Sequence, residues 1–232
     1  MLEDCQYIGI FRCLSIRYEC LILNPREEIK KVLDFLELPW DDKLLEHEKF
    51  VHNTSKLNKY EASSIQIVKS IHNNSLDAWS NNDSPILTEF FKLMTTNSSL
   101  LKVLGYVSDE IQPNYKNLCN STGLMRILLD IHPLVRCGPE PIVTRELLRY
   151  RRHLETMSDL LSQSGITENV LDDASAAFIA TVIQEMGPKA PRLCHKDPSS
   201  FIYLEELADM FPKAKFIHMI RDGRAAIAST IQ

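Results

Sequence analysis

The stretch Lys215-Phe-Ile-His-Met-Ile-Arg-Asp-Gly-Arg-Ala-Ala-Ile-Ala-Ser229 decides the fold class of this chain. Its apolar run ends in Arg221-Asp222-Gly223-Arg224, and an alanine-rich helical pattern begins at once. That order predicts a buried strand, a tight turn and a helix. Such a turn brings backbone N–H groups and a positive helix end to the edge of an α/β sheet, where phosphates bind. Arg221 can grip a phosphate through two parallel hydrogen bonds, and Ser229 follows on the helix with a hydroxyl to offer. The plainer alternative is a surface Asp-Gly turn flanked by salt-bridging arginines, and the tetrapeptide alone leaves the two about even.

Working outward, the run from Cys13 to Leu23 is strand-like, and Asn24-Pro25 follows as a helix cap and first helical position. Glu27 and Glu28 suit the positive helix end, and Ile29, Val32, Leu33 and Leu36 make an apolar stripe that Pro39 ends. Residues 47–84 are polar and read as loop with short helical pieces. Residues 86–104 recover a helical pattern through Leu87, Phe90, Phe91, Met94, Leu100, Leu101 and Leu104. A helix is predicted over 123–130 and a short strand over 134–137. Thr167 caps a long helix with Leu171, Ala174, Phe178 and Val182 on one face, and a further helix is capped near Ser199. Strands alternating with helices predict a three-layer α/β fold with a mainly parallel sheet.

With 232 residues the chain can bury a sizeable core as one α/β domain or two smaller ones. A net charge of −5 and the lack of a long basic run argue against a nucleic-acid partner. No apolar run approaches a membrane span, and no signal peptide precedes the first element. The six cysteines are too scattered for a disulfide miniprotein or a paired CxxC zinc site. Cys5 and Cys13 could close a small loop. Five Asn-x-Ser/Thr sequons, at Asn53, Asn73, Asn82, Asn97 and Asn120, push mildly toward a luminal glycoprotein.

These pieces together resemble the protein-tyrosine sulfotransferases, membrane-anchored Golgi enzymes that sulfate tyrosines of secretory proteins. In the second half the likeness lies in "LMRILLDIHPLVRCG", "LCHKDP" and "FPKAKFIHMIRDGRAAIAS". In the first half it lies in "CQYIGIFRCLSIRYECLILNPREEIKKVLDFLELPW", "LLEHE" and "LGYVSDEIQPNYKN". The order is reversed: residues 1–117 resemble the later half of the family domain and residues 118–232 the earlier half. The resemblance implies a P-loop-like sulfotransferase fold whose first strand is missing, because "QPNYKN" stands where that strand belongs. A P-loop nucleoside triphosphatase would need a Gly-x-x-x-x-Gly-Lys-Ser/Thr loop, which the sequence lacks.

The family moves a sulfuryl group from 3′-phosphoadenosine 5′-phosphosulfate to a tyrosine phenol, without a metal. Carried over by matching motifs, Glu140 is the base, Lys196 neutralises the bridging oxygen, and Ser63 assists there. Taken without the resemblance, Glu140 is an exposed loop carboxylate and Lys196 a solvated lysine before a helix cap. Arg221, Ser229 and Tyr18 match nucleotide-binding positions, and Ser121 and Thr122 remain as donors in the phosphate loop. Cys119 occupies the place of the loop arginine, and Ala78 that of a lysine beside Trp79. The resemblance also implies the disulfides Cys137–Cys194 and Cys5–Cys13, acidic tyrosine-containing protein substrates and a homodimer. A catalytically degenerate nucleotide- or peptide-binding relative is the alternative.

Overall fold

The computed structural model describes residues 2–54, 76, 79–80, 84–107, 115 and 125–231. Helix α1 (Leu2–Ile8) leads into β1 (Cys13–Arg17), and α2 (Tyr18–Leu23) and α3 (Pro25–Leu36) follow. A 3-10 turn at Asp42–Glu46 precedes α4 (His47–Thr54). Next come α5 (Pro85–Asn97), α6 (Ser99–Val103) and α7 (Met125–Ile131). Strand β2 (Val135–Arg136) is followed by α8 (Ile142–Glu155), α9 (Ser158–Gln163) and α10 (Glu168–Glu185). The chain closes with β3 (Arg192–Leu193), a 3-10 turn at Pro198–Tyr203, α11 (Leu204–Met210), β4 (Phe216–Ile220) and α12 (Gly223–Ile231). Among the described residues the strands form two separate pairs, β1 with β4 and β2 with β3, rather than one continuous sheet.

Two compact units interleave along the sequence. The first comprises Met1–Leu14, Asp41–Val68 and Arg126–Phe216, and the second Ser15–Trp40, Lys69–Met125 and Ile217–Gln232. Each unit therefore draws residues from both halves of the chain. In the first unit Leu148, Ile179, Tyr203 and Leu207 form the core where α8, α10 and α11 meet. Cys5, Cys13 and Leu204 make a second apolar cluster beneath α1. The Arg12 guanidinium closes the end of α11 by donating to the carbonyls of Ala208 at 2.8 Å and Phe211 at 3.1 Å. These are carbonyls at a helix end, where intrahelical partners run out. In the second unit Trp79 and Phe91 pack edge to face over Ala225 and Ala228 of α12.

Several expectations hold and others move. α3 starts at Pro25, with Glu27 and Glu28 in its first turn and Ile29, Val32 and Leu33 buried. β4 and the helix after it lie where the apolar run and the alanine pattern put them. The run from Cys13 to Leu23 is not all strand: it turns helical at Tyr18. A short apolar run cannot separate the two forms by periodicity. The pattern over 86–104 is two helices broken at Ser98, whose hydroxyl accepts from the Leu101 N–H to cap the second. On α10 the buried positions are Ser175 and Ile179, with Phe178 46% exposed and Ala174 exposed, one position off the predicted face. The packing partners choose that face, since Ile179 meets Leu148, Tyr203 and Leu207.

Candidate functional site

The first unit builds its site from strand register. β2 and β3 run parallel with Val135 opposite Arg192 and Arg136 opposite Leu193. One residue further on, Cys137 lies opposite Cys194, and the two are joined in a disulfide with their Cα atoms 4.3 Å apart. Beyond it the chains leave as Gly138-Pro139-Glu140-Pro141 and His195-Lys196-Asp197-Pro198. These are the carboxyl ends of parallel strands, where open α/β sheets place ligands.

Both exits are pinned. Asp130 Oδ1 accepts the Cys137 N–H at 2.8 Å and the Gly138 N–H at 3.4 Å. Gly138 takes a left-handed φ of 64°, which glycine adopts without strain. On the other exit Asp197, not Ser199, is the cap. Its Oδ1 accepts from the Ser199 N–H at 2.9 Å and its Oδ2 from the Ser200 hydroxyl at 2.8 Å. Held this way, the Lys196 ammonium and the Glu140 carboxylate meet in a direct ion pair. Replacing Asp197 by alanine is expected to cost about 1 kcal/mol, read from the urea midpoint, because the Ser199 N–H and the Ser200 hydroxyl then lose their carboxylate acceptor.

Between the disulfide and the ion pair stands His195. Burial holds its imidazole below the usual histidine range, while the nearby Asp197 charge opposes that shift. The unfolded chain therefore takes up a proton near pH 6.5 that the folded chain resists, so stability falls as pH drops through that region. Urea midpoints at pH 7.5 and pH 5 are expected to differ less in His195→Gln than in the parent.

The second unit carries the Arg221 turn, and here the structure departs from the plainer reading. Asp222 and Arg224 are buried, at 0% and 1% exposure, so the turn is not a surface feature. Asp222 Oδ1 accepts from the Arg224 N–H at 2.9 Å and Nε at 3.0 Å. Its Oδ2 accepts from the Arg224 guanidinium at 2.7 Å and from the Tyr115 hydroxyl at 3.0 Å. Arg224 also donates to Thr95 Oγ1 at 2.9 Å and to the Tyr106 carbonyl at 2.7 Å, and lies over the Trp79 ring. Glu19, 1% exposed, accepts the Asp222 N–H at 2.8 Å and the Tyr106 hydroxyl at 2.9 Å. Burial pushes the Glu19 carboxyl up and holds the phenols of Tyr106 and Tyr115 in their neutral form. The Arg221 guanidinium lies 4.3 Å from the centre of the Tyr18 ring, a cation–π contact.

The predicted residues thus fall in two places. Glu140 and Lys196 come together in the first unit, and Arg221 and Tyr18 in the second. Ser229 lies on α12, and Ser63, Ser121 and Thr122 are outside the described residues. Both disulfides implied by the resemblance are present, and Cys20 is buried and belongs to neither. Sequence reasoning missed Glu19, Asp222 and Arg224 as a buried network and took Trp79 only as a family position. One signal was available, since Glu19 is the lone carboxylate inside the apolar run from Cys13 to Leu23. Among the described residues no helix is long and apolar enough to cross a membrane.

Comparison with known proteins points the same way from both halves. Residues 121–232 match the sulfotransferase family model, and residues 11–93 match a sulfotransferase domain model. A putative protein-tyrosine sulfotransferase of Caenorhabditis briggsae is 45% identical over 113 residues, covering 49% of this chain and 40% of the relative. The protein-tyrosine sulfotransferase of Drosophila melanogaster is 44% identical over 162 residues, 62% of this chain and 32% of the relative. Protein-tyrosine sulfotransferase 1 of Mus musculus is 44% identical over 115 residues, 48% and 31% of the two. The matches span less than half the length of each of these relatives. Each half of the chain is matched by a sulfotransferase model.

Proposed function

We infer that this chain is a transferase of the protein-tyrosine sulfotransferase type, moving a sulfuryl group from 3′-phosphoadenosine 5′-phosphosulfate to tyrosine in acidic stretches of secretory proteins. The observation that carries this reading is the Glu140–Lys196 ion pair at the carboxyl ends of two parallel strands tied by Cys137–Cys194. Transfer needs a base and a cation close together. In this reading the Glu140 carboxylate takes the phenol proton as the phenolic oxygen attacks sulfur. A phenol ordinarily ionises near pH 10, so removing its proton in the transition state lowers the barrier. The S–O bond to the 5′-phosphate breaks, and the Lys196 ammonium meets the charge growing on the bridging oxygen. Before substrates enter, base and cation neutralise each other. As donor and acceptor enter, the pair parts and each group takes up its substrate partner.

Arg221, Tyr18 and Ser229 hold the 3′-phosphate end of the nucleotide, and the Ser121 and Thr122 loop offers donors at its other end. Ser63 assists Lys196. The whole is a three-layer P-loop-like sulfotransferase fold without its first strand, with the family's later half at 1–117 and its earlier half at 118–232. Two disulfides and several sequons suit passage through the secretory route, and the chain works in the Golgi lumen as a homodimer. No metal takes part.

The test is direct. The purified chain, given donor labelled in its sulfuryl group and an acidic tyrosine peptide, is expected to label the peptide and not its phenylalanine counterpart. Equal labelling of both, or none with no nucleotide binding, sinks the reading. A second reading is a relative that binds without turnover, favoured by Cys119 at the place of the loop arginine. Its mark is adenosine 3′,5′-bisphosphate binding by calorimetry with no label transferred.

A further inference from the structure

We propose that Glu19 is a positioning residue for Arg221, holding the peptide that joins Arg221 to Asp222 so that the guanidinium is presented from a fixed backbone. The inference rests on Arg221 as the phosphate grip. Two consecutive residues of one segment meet two consecutive residues of the other. The Tyr18 ring carries the Arg221 guanidinium at 4.3 Å, and Glu19 Oε1 accepts the Asp222 N–H at 2.8 Å. That N–H belongs to the peptide plane that begins at the Arg221 carbonyl, so the bond fixes ψ of Arg221.

Other groups in the cluster are committed elsewhere. The Asp222 carboxylate is taken up by Arg224 and Tyr115, which order the turn after Arg221 rather than the peptide before it. Glu19 in turn is held in place by the Tyr106 hydroxyl on its second oxygen. A carboxylate at 1% exposure is costly to bury. An apolar side chain would serve packing better, so what Glu19 adds is the acceptor. Arginine has many rotamers to lose, and clamping both its backbone and its guanidinium reduces what a phosphate must order on binding.

The experiment compares the parent chain with Glu19→Ala and Glu19→Gln. Phenylglyoxal adducts at Arg221 are followed by peptide mass spectrometry, with the exposed Arg149 as internal reference, and adenosine 3′,5′-bisphosphate affinity is measured by calorimetry. In Glu19→Ala, Arg221 is expected to react several-fold faster while Arg149 does not change, and nucleotide affinity to fall about ten-fold. Glu19→Gln, which keeps an acceptor oxygen in place, is expected to restore both toward the parent. If Glu19→Ala does not fold, Glu19→Asp, one methylene too short, is expected to show the same Arg221-specific change. An Arg221 rate that matches the parent in the folded variant overturns the inference, whatever the nucleotide does. Faster Arg221 reaction in a series whose parent binds no nucleotide supports the positioning and overturns the phosphate role instead.

Discussion

Glu140→Gln is expected to slow sulfuryl transfer to the tyrosine peptide by about 10²–10⁴-fold, the range over which a positioned general base acts. Lys196→Ala is expected to lose about 10²–10³-fold, the cost of removing one group that meets developing charge. Initial rates of label incorporation measure both. The Glu140 and Lys196 side chains are 28% and 31% exposed, so their mutual ion pair adds at most about 1 kcal/mol to stability. Urea midpoints of both variants are therefore expected to stay near the parent. That separation makes the prediction decisive: a Glu140→Gln chain that transfers at the parent rate removes the base from the mechanism. A variant that is slow only because it is unfolded would betray itself in the midpoint. The double variant is expected to be about as slow as Glu140→Gln alone, because base and cation act on one transition state and their losses do not add.

The second large effect lies in stability. Asp222→Ala is expected to destabilise the protein by about 3–5 kcal/mol, because it leaves the Arg224 charge buried and uncompensated. Tyr115 loses its acceptor in the same change, while Arg224 keeps Thr95, the Tyr106 carbonyl and the Trp79 ring but no carboxylate among these partners. Arg224→Met is expected to cost as much from the other side, stranding Asp222 at 0% exposure next to Glu19. Replacing both at once, Asp222→Ala with Arg224→Met, removes the two charges together and is expected to cost clearly less than the sum of the singles. Urea unfolding of the four chains closes this cycle. An Asp222→Ala chain within about 1 kcal/mol of the parent would mean that water already reaches the pair, in the range of exposed ion pairs.

Glu19 pulls the pH dependence in the opposite direction from His195. Its carboxyl is raised by burial, so the folded chain holds that proton more tightly than the unfolded one. The stabilisation this gives is present below the ordinary carboxylate range and is lost as pH rises through the raised value. His195 loses stability in the other sense, as pH falls. The two sit in different units, so each slope can be followed through its own variant.

Particular elements show how far the residues speak for themselves. An apolar run followed by Arg-Asp-Gly-Arg and alanines was enough for β4 and α12, because period and turn chemistry are local properties. The Pro25 start of α3 and its stripe were legible for the same reason. The pairing of Cys137 with Cys194 was legible through family likeness alone, and the β2–β3 register supplies its geometry. The face of α10 was misjudged by one position because alternative stripes on it are similarly apolar and the choice belongs to Ile179's partners.

By itself the sequence determined β4, α12 and the start of α3, the turn between the first two, and which side chains could carry charge chemistry. Only the tertiary structure decided that Asp222 and Arg224 are core, that Arg221 meets the Tyr18 ring, and that Glu19 serves the turn. The bond between Glu19 and Asp222 spans 203 positions, and that between Tyr106 and Glu19 spans 87. Burying these charges takes partners from distant segments as well as neighbours in the chain, and no local pattern records which distant partners will arrive.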